Sequence, residues 1–392
     1  MTDSRISSFR CNMNRIGARE VAAKASRMLL RRPTATEILW INFAVTYLCN
    51  GRCRMCHIWK RYRQDPSGIE QELSLAEIEG LLSSDHMRNV QGISLTGGEP
   101  FLRKDFVDLA GLCIQRFPNA FISIATNGLS PGLILHKTRD ILRRFEPKHL
   151  SLSVSLDGIG DAHNIVRGVN GAYGRVLRTV KSLVQEANLN VGLDFTITPW
   201  NYDQVWSAYQ LSKKLGTKFI AVFAHSSDFY YANRALDLDC GEARSEAARQ
   251  VHQVATDRAR QESMFERLID PYVCFMTQAA QSQANQTAAY RCYSGTHSLF
   301  LDPYGNVYPC ILLDKKIGNI REVAFDELWL TSRAFEVRDY IKQERCQCWV
   351  ACETVPSMLR GLAVPRWNLV NKILKPLVSG LNQHRRGDGA EG

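Results

Sequence analysis

No apolar run in this 392-residue chain approaches the ~20 residues needed to cross a bilayer. The stretch from Ile38 to Cys49 stops near a dozen residues and contains Asn42, which excludes a helical membrane span. The start, MTDSRISSFRCNMNR, has no apolar segment behind its basic residues, so no secretory signal is expected and the expected compartment is the cytoplasm. Internal repeats are absent. So is any basic patch interleaved with aromatics, and with it the case for nucleic-acid binding. What is present is 45% apolar and 22% charged content, enough for one large or two ordinary globular domains and incompatible with a disordered, collagen-like or coiled-coil chain.

The net charge of +10 lies at the ends. Residues 1 to 40 hold eight Lys/Arg against three Asp/Glu, residues 357 to 392 hold six against two, and the middle is nearly neutral. Basic ends of this kind suit a weak association with an acidic surface.

Twelve cysteines in a chain with no export signal point to metal ligation rather than to disulfides, because reducing compartments keep thiols free. Three cluster at Cys49, Cys53 and Cys56, and five fall at Cys292, Cys310, Cys346, Cys348 and Cys352. The scattered Cys11, Cys113, Cys240 and Cys274 read as small core residues.

From Leu39 to about His225, short β-rich runs alternate with helical stretches, the pattern of repeated βα units around a parallel sheet. The strands are expected at Trp40 to Tyr47, Gly92 to Thr96, Phe121 to Thr126, His149 to Leu156, Val191 to Thr198 and Phe219 to Phe223. Leu150, Leu152, Val154 and Leu156 alternate with Ser151, Ser153, Ser155 and Asp157, and residues 191 to 198 alternate likewise. A parallel sheet packed on both faces would be apolar throughout, so the polar face is expected to line a cavity. The expected fold is α/β, a partial (β/α)6 barrel with its site at the C-terminal strand ends; a doubly wound sheet is the alternative. The expected organisation is a basic N-terminal helical extension (1–38), the barrel (39–235), a helical connector (236–288), a cysteine-bearing β-hairpin/α region (289–356) and a basic amphipathic tail (357–392).

Cys49-Asn-Gly-Arg-Cys53-Arg-Met-Cys56 places a C-x3-C-x2-C spacing directly after the first strand. Three thiolates hold three corners of a cubane cluster and leave one iron open to a non-protein ligand. A structural zinc site wants a fourth Cys or His, and His57 is awkwardly placed beside Cys56. The loop resembles the signature of radical S-adenosylmethionine (radical SAM) enzymes, apart from Met55 where an aromatic residue is common. The resemblance implies a [4Fe-4S] cluster on Cys49, Cys53 and Cys56 whose open iron is chelated by SAM. It also implies reductive cleavage of SAM to methionine and a 5'-deoxyadenosyl radical, and hydrogen abstraction from an unactivated C–H bond.

Other motifs resemble the cosubstrate contacts of that family. Gly97-Gly98-Glu99-Pro100, after the second strand, resembles the motif receiving the amino group: two glycines allow close backbone approach, and Glu99 offers an acceptor for an ammonium. Asn127, closing the third strand, and Ser153, Ser155 and Asp157 of the fourth, with Arg167 further on, resemble the ribose and carboxylate contacts; Arg suits a bidentate carboxylate contact. Asp194 and Thr196 of the fifth strand join this cofactor-binding set. Asn127 and Asp157 shaping turns, with Arg167 solvated, is the competing reading.

The second group, Cys292, Cys310, Cys346, Cys348 and Cys352, resembles the SPASM or shorter twitch extension, with a hairpin expected over Phe300 to Cys310. It has five cysteines where the full SPASM pattern has seven. One auxiliary [4Fe-4S] cluster is expected, with Cys292, Cys310 and Cys352 as ligands and the fourth from Cys346 or Cys348; zinc is the alternative. The sulfatase-maturing branch carries an acid after the cysteine matching Cys310, and Ile311 stands here. Only about 40 residues precede the first strand, so no fused leader-binding domain is expected. Near the C-terminus Leu369, Val370, Ile373, Leu374, Leu377, Val378 and Leu381 form one helical stripe, a candidate for peripheral membrane contact interrupted by Pro376.

The leading expectation is an oxidoreductase-type radical enzyme acting on a small-molecule, sugar or lipid-linked substrate, fed by a flavodoxin- or ferredoxin-like reductant. Its alternatives are a maturase of a ribosomally made peptide and a non-catalytic iron-sulfur or zinc protein.

Overall fold

The computed structural model describes residues 36–238, 240–241, 243–261, 292–343, 350, 353 and 357. All the expected strands form: β1 (Trp40–Thr46), β2 (Gly92–Gly97), β3 (Phe121–Thr126), β4 (Leu150–Ser155), β5 (Leu189–Ile197) and β6 (Lys218–Phe223). Three more follow, β7 (Ser298–Leu301), β8 (Asn306–Tyr308) and β9 (Gly318–Asn319). Among the described residues they make one nine-stranded sheet in the order β6-β5-β4-β3-β2-β1-β7-β8-β9. Strands β1 to β6 are mutually parallel and in sequence order, without the reversal that defines a doubly wound sheet. Strand β6 does not close onto β1, so the barrel is open.

The helices α1 (Leu75–Leu82), α2 (Phe106–Arg116), α3 (Pro131–Phe145), α4 (Asp161–Arg167), α5 (Ala172–Leu183) and α6 (Val205–Leu215) lie between successive strands, and α7 (Ala243–Gln261) follows β6. Their sequences state their limits. Ser74 and Glu77 form a reciprocal capping box at α1, Pro131 opens α3, and the left-handed Gly216 ends α6.

Register decides which residues share a face. Ile41, Ile93, Ile122, Leu150 and Leu189 stand side by side, as do Phe43, Leu95, Ile124, Leu152 and Val191, and this apolar face is the core. Full burial of each Leu, Ile or Phe contributes about 1.5–3 kcal/mol. The opposite face carries Asn42, Ser94, Ser123, Ser151 and Asn190 in one row and Ser155 beside Asp194 in another. From β2 to β5 these positions are half-buried or exposed, so the alternation read in the sequence does line an accessible polar lumen.

At the N-terminal strand ends the lumen is plugged. The Trp40 indole occupies the space a side chain at position 92 would need, 2.1 Å from a built Cβ on Gly92, and its Nε1 donates to Ser94 Oγ (3.3 Å). Glu353 reaches the same sheet face: Asn42 Nδ2 donates to Oε1 (2.7 Å), and the Ser294 and Ser298 hydroxyls donate to Oε2 (2.7 and 2.6 Å).

The expected hairpin is β7–β8, with Phe300 opposite Tyr308 and Leu301 opposite Val307. Asp302 Oδ1 shapes its turn by accepting from the Tyr304 and Asn306 amides (2.9 and 2.8 Å), and Gly305 takes φ +85. The hairpin does not stand apart from the barrel, because β7 pairs in parallel with β1 and extends its sheet. A further helix, α8 (Ser332–Gln343), follows β9. Among the described residues no helix is long and apolar enough to cross a membrane. The N-terminal extension up to residue 35, the connector beyond α7, Cys346, Cys348, Cys352 and the amphipathic stripe of the tail lie outside the described residues.

Candidate active site

The cysteine loop leaves β1 at the C-terminal mouth of the lumen and is fastened from several sides. The Arg52 and Arg54 amides donate to the carbonyls of Arg167 and Val166 (3.1 and 2.9 Å), tying the loop to the end of α4. A Cβ built on Gly51 would sit 3.5 Å from Cys53 Sγ, 3.6 Å from Cys49 Sγ and 3.8 Å from Asn127 Nδ2, so both sulfurs and the amide gather around this glycine. The Gly51 amide donates to Cys49 Sγ (3.4 Å), Asn127 Nδ2 faces the same sulfur (3.8 Å), and Arg167 Nη1 donates to Cys53 Sγ (3.6 Å). Burial, chiefly, pushes the Cys49 and Cys53 thiols up, and that of Cys56 to about 12. Thiols so desolvated ionise only by gaining a strong Lewis acid, and the N–H donors around them suit the sulfur charge that follows. Three thiols on one loop, with N–H donors from Gly51, Asn127 and Arg167 on the Cys49 and Cys53 sulfurs, fit three corners of an iron-sulfur cubane.

Gly97 and Gly98 run tightly against the strand that launches the cysteine loop. Gly98 N donates to Thr46 O and Glu99 N to Leu48 O, both at 2.7 Å. A Cβ on Gly97, at φ +136, would lie 2.2 Å from Thr46 O, and one on Gly98 2.3 Å from Leu48 O. Glue between the GGEP turn and β3 comes from Glu99, which is fully buried: Oε1 accepts from Thr126 Oγ1 (2.9 Å) and Phe101 N (3.3 Å), and Oε2 from Asn127 N (2.7 Å). Both oxygens already serve the protein, so its first physical role is to orient Asn127 beside Cys49. Burial raises this carboxyl to about 7. Pro100 follows at the start of a short 3-10 turn.

Arg167 is not the solvated side chain of the competing reading. It is buried, with Nε 2.6 Å from Asp157 Oδ2 and Nη1 on Cys53. Asp157 Oδ1 also accepts from Thr196 N (2.8 Å), linking β4 to β5. Burial raises the Asp157 carboxyl and the neighbouring arginine lowers it; the net direction is upward. Asn127 does shape its turn, its Oδ1 accepting from Leu129 N (2.9 Å), while Nδ2 reaches Asn50 and Cys49. Ser153, Ser155, Asp194 and Thr196 face the lumen in register, and Asp194 is raised to about 6 by burial. Of the second cysteine group, Cys310 is buried with its sulfur accepting from Leu313 N (3.4 Å), and the Cys292 thiol donates to Ser294 Oγ (3.2 Å).

Residues 43–212 match the sequence model of the Radical SAM superfamily, and residues 292–353 match that of SPASM, an iron-sulfur cluster-binding domain. Together the two spans cover more than half of the chain. The chain belongs to the radical SAM superfamily. Among its relatives is an AdoMet-dependent heme synthase of Methanosarcina barkeri, 26% identical over 76% of this chain and 84% of that protein. Another is the sporulation killing factor maturation protein SkfB of Bacillus subtilis, 24% identical over 78% of this chain and 67% of that protein. Among solved structures, SuiB of Streptococcus suis bound to S-adenosylmethionine superposes with TM-score 0.56 at 16% identity, covering 82% of this chain and 72% of SuiB, a likeness of fold. As a radical SAM enzyme with a SPASM domain, the protein uses S-adenosylmethionine, a SAM-binding [4Fe-4S] cluster and auxiliary iron-sulfur.

One segment of this radical SAM enzyme escaped the sequence reasoning. Residues 224–238, the loop after β6, cross the mouth and hold the cysteine loop: Asn233 Nδ2 donates to Met55 O (2.7 Å), His57 N to Tyr231 O (2.9 Å), and Arg61 to the carbonyls of Phe229 and Tyr230. The signal was its position, since sites in βα barrels gather on the loops after strands, combined with the density of aromatic and polar residues in HSSDFYYAN.

Proposed function

We propose that Cys49, Cys53 and Cys56 hold the SAM-binding cluster, and that Gly97, Gly98 and Glu99, with Asn127, Ser153, Ser155, Asp157, Arg167, Asp194 and Thr196, form the pocket for the cosubstrate around it. When bound, the cluster and SAM supply a 5'-deoxyadenosyl radical that takes hydrogen from an unactivated C–H bond. The substrate in this reading is a small molecule, sugar or lipid-linked intermediate. Cys292, Cys310, Cys352 and one of Cys346 and Cys348 would hold an auxiliary [4Fe-4S] cluster, which would supply an acceptor for one electron from the substrate radical left by hydrogen abstraction and so allow net oxidation or bond formation.

The observation that carries the proposal is the convergence of the Cys49 and Cys53 sulfurs, Asn127 and Arg167 at one end of a polar lumen. The chain's own work there is positioning. Arg167 balances Asp157 and donates to sulfur, Glu99 orients Asn127, and the lumen hydroxyls offer hydrogen bonds to a compact polar group. The apolar outer face and the Trp40 plug leave the mouth as the route of entry. Maturation of a ribosomally made peptide is the second reading, supported by the kinship with SkfB. Anaerobic incubation of the reconstituted protein with SAM and dithionite tests the core of the proposal. 5'-Deoxyadenosine should form with the wild type and not with Cys53→Ala, and its absence from the wild type overturns the assignment.

A further inference from the structure

Tyr230 lies where three parts of the molecule meet. It is 3% exposed, and its hydroxyl donates to Gly97 O (3.2 Å) and lies 3.3 Å from Thr96 Oγ1. Its ring packs edge-on against Phe300 of β7, with centroids 4.9 Å apart, and on Tyr231 at 4.7 Å. The preceding Phe229 stacks on Tyr308 of β8 at 4.1 Å, two residues before Cys310. On the other side Tyr47, two residues before Cys49, stands 6.5 Å from Tyr230. One short loop thus touches the turn that carries Gly97, the strand that launches the cysteine loop, and the hairpin that carries Cys310.

We infer that Tyr230 is a positioning residue for the cosubstrate site, and that the loop around it makes SAM affinity depend on the seating of the β7–β8 hairpin. The inference rests on the proposed pocket at Gly97 and Gly98. The Gly97 carbonyl is an acceptor at the place assigned to the SAM ammonium, and its direction is set from two sides. Gly97 itself is pressed on Thr46 O, and Tyr230 holds its carbonyl from the lumen side. Neither the phenol nor its ring takes part in bond breaking. Their effect is to remove freedom from a backbone acceptor before SAM arrives, which saves ordering on binding. Because the same ring is wedged on Phe300, and its neighbour on Tyr308, a displaced hairpin pulls the phenol from Gly97. A chamber whose first site tightens when the hairpin carrying Cys310 is seated would bind SAM more weakly before that hairpin is in place.

The test measures SAM binding by anaerobic equilibrium dialysis on full-length reconstituted protein, together with the change that SAM produces in the electron paramagnetic resonance spectrum of the reduced cluster. Tyr230→Phe keeps the ring and removes the hydroxyl; the dissociation constant should rise about 2- to 12-fold, the range of one net hydrogen bond, with iron content unchanged. Phe229→Ala leaves the hydroxyl in place and unstacks the loop from Tyr308; it too should weaken SAM binding while leaving the iron count alone. Wild-type affinity and an unchanged spectral response in Tyr230→Phe overturn the positioning role, and wild-type affinity in Phe229→Ala overturns the link to the hairpin. A wild-type protein that holds its iron yet neither binds SAM nor shows the spectral change overturns the proposed function itself, a result distinct from both.

Discussion

Alanine at position 98 is a sharp perturbation of the turn that holds the cysteine loop. The added Cβ falls 2.3 Å from Leu48 O, 2.7 Å from Leu48 C and 2.8 Å from Tyr47 O. A comfortable carbon–oxygen contact is about 3.3 Å, so the overlap is about 1 Å. All three atoms are backbone and cannot rotate away, and the two segments are cross-linked by hydrogen bonds from Gly98 N to Thr46 O and from Glu99 N to Leu48 O. Overpacking of this kind costs about 1–3 kcal/mol, and losing one of the two bonds adds about 1 kcal/mol, giving about 2–4 kcal/mol in urea unfolding of the apoprotein. The atom that must retreat belongs to the residue before Cys49. A shift of about 1 Å there should lower 5'-deoxyadenosine formation about 100-fold. Gly80→Ala is the control, since nothing lies within 4 Å of its Cβ and the residue sits in helix α1; it should be neutral or more stable by up to about 1 kcal/mol. A Gly98→Ala protein with wild-type stability, and SAM cleavage within a factor of two of wild type, would refute the reasoning.

Arg167→Ala leaves Asp157 buried with an uncompensated charge, so urea unfolding should show a loss of about 3–5 kcal/mol; a loss under 1 kcal/mol would mean that the pair is dispensable. His163 is fully buried with Nδ1 accepting from Asp157 N (3.0 Å), and burial, assisted by Arg167, lowers it to about 3 from 6.5. The unfolded chain takes up this proton below about pH 6.5 while the folded one does not, so stability should fall as pH drops through the window from 6.5 towards 3. At pH 5 the contribution is about 2 kcal/mol, and His163→Asn should flatten that part of the stability curve; an equal slope in both proteins would contradict it.

How much was legible in the sequence varied with the kind of signal. Serines alternating with Leu and Val in residues 150–156 announced both a strand and a polar lumen, because a period of two has one structural meaning when both faces are distinct. The cysteine spacing was equally readable as a family signature, since ligation requires particular atoms at particular separations. Arg167 could be named from the sequence as a candidate, but its geometry could not be read there: its pairing with Asp157 and Cys53 depends on how α4 returns to the mouth. The parallel pairing of β7 with β1 was hidden, because their partner positions, Trp40 with Ser298 and Phe43 with Leu301, are over 250 residues apart and no local pattern encodes them. The loop after β6 carried a local signal in its aromatic and polar residues, but its contacts across the mouth were hidden. Tyr230 looks like any aromatic residue until the fold brings it to Gly97.

Iron and sulfide counted under anaerobic conditions, in the wild type and in the Cys49/Cys53/Cys56 triple alanine variant, test the central claim most directly. With one SAM-binding and one auxiliary [4Fe-4S] cluster, about eight irons per chain should fall to about four, and the spectral change caused by SAM should vanish. An iron count unaltered by removal of the three thiols, with the response to SAM intact, would contradict the assignment of the radical-generating site to this loop.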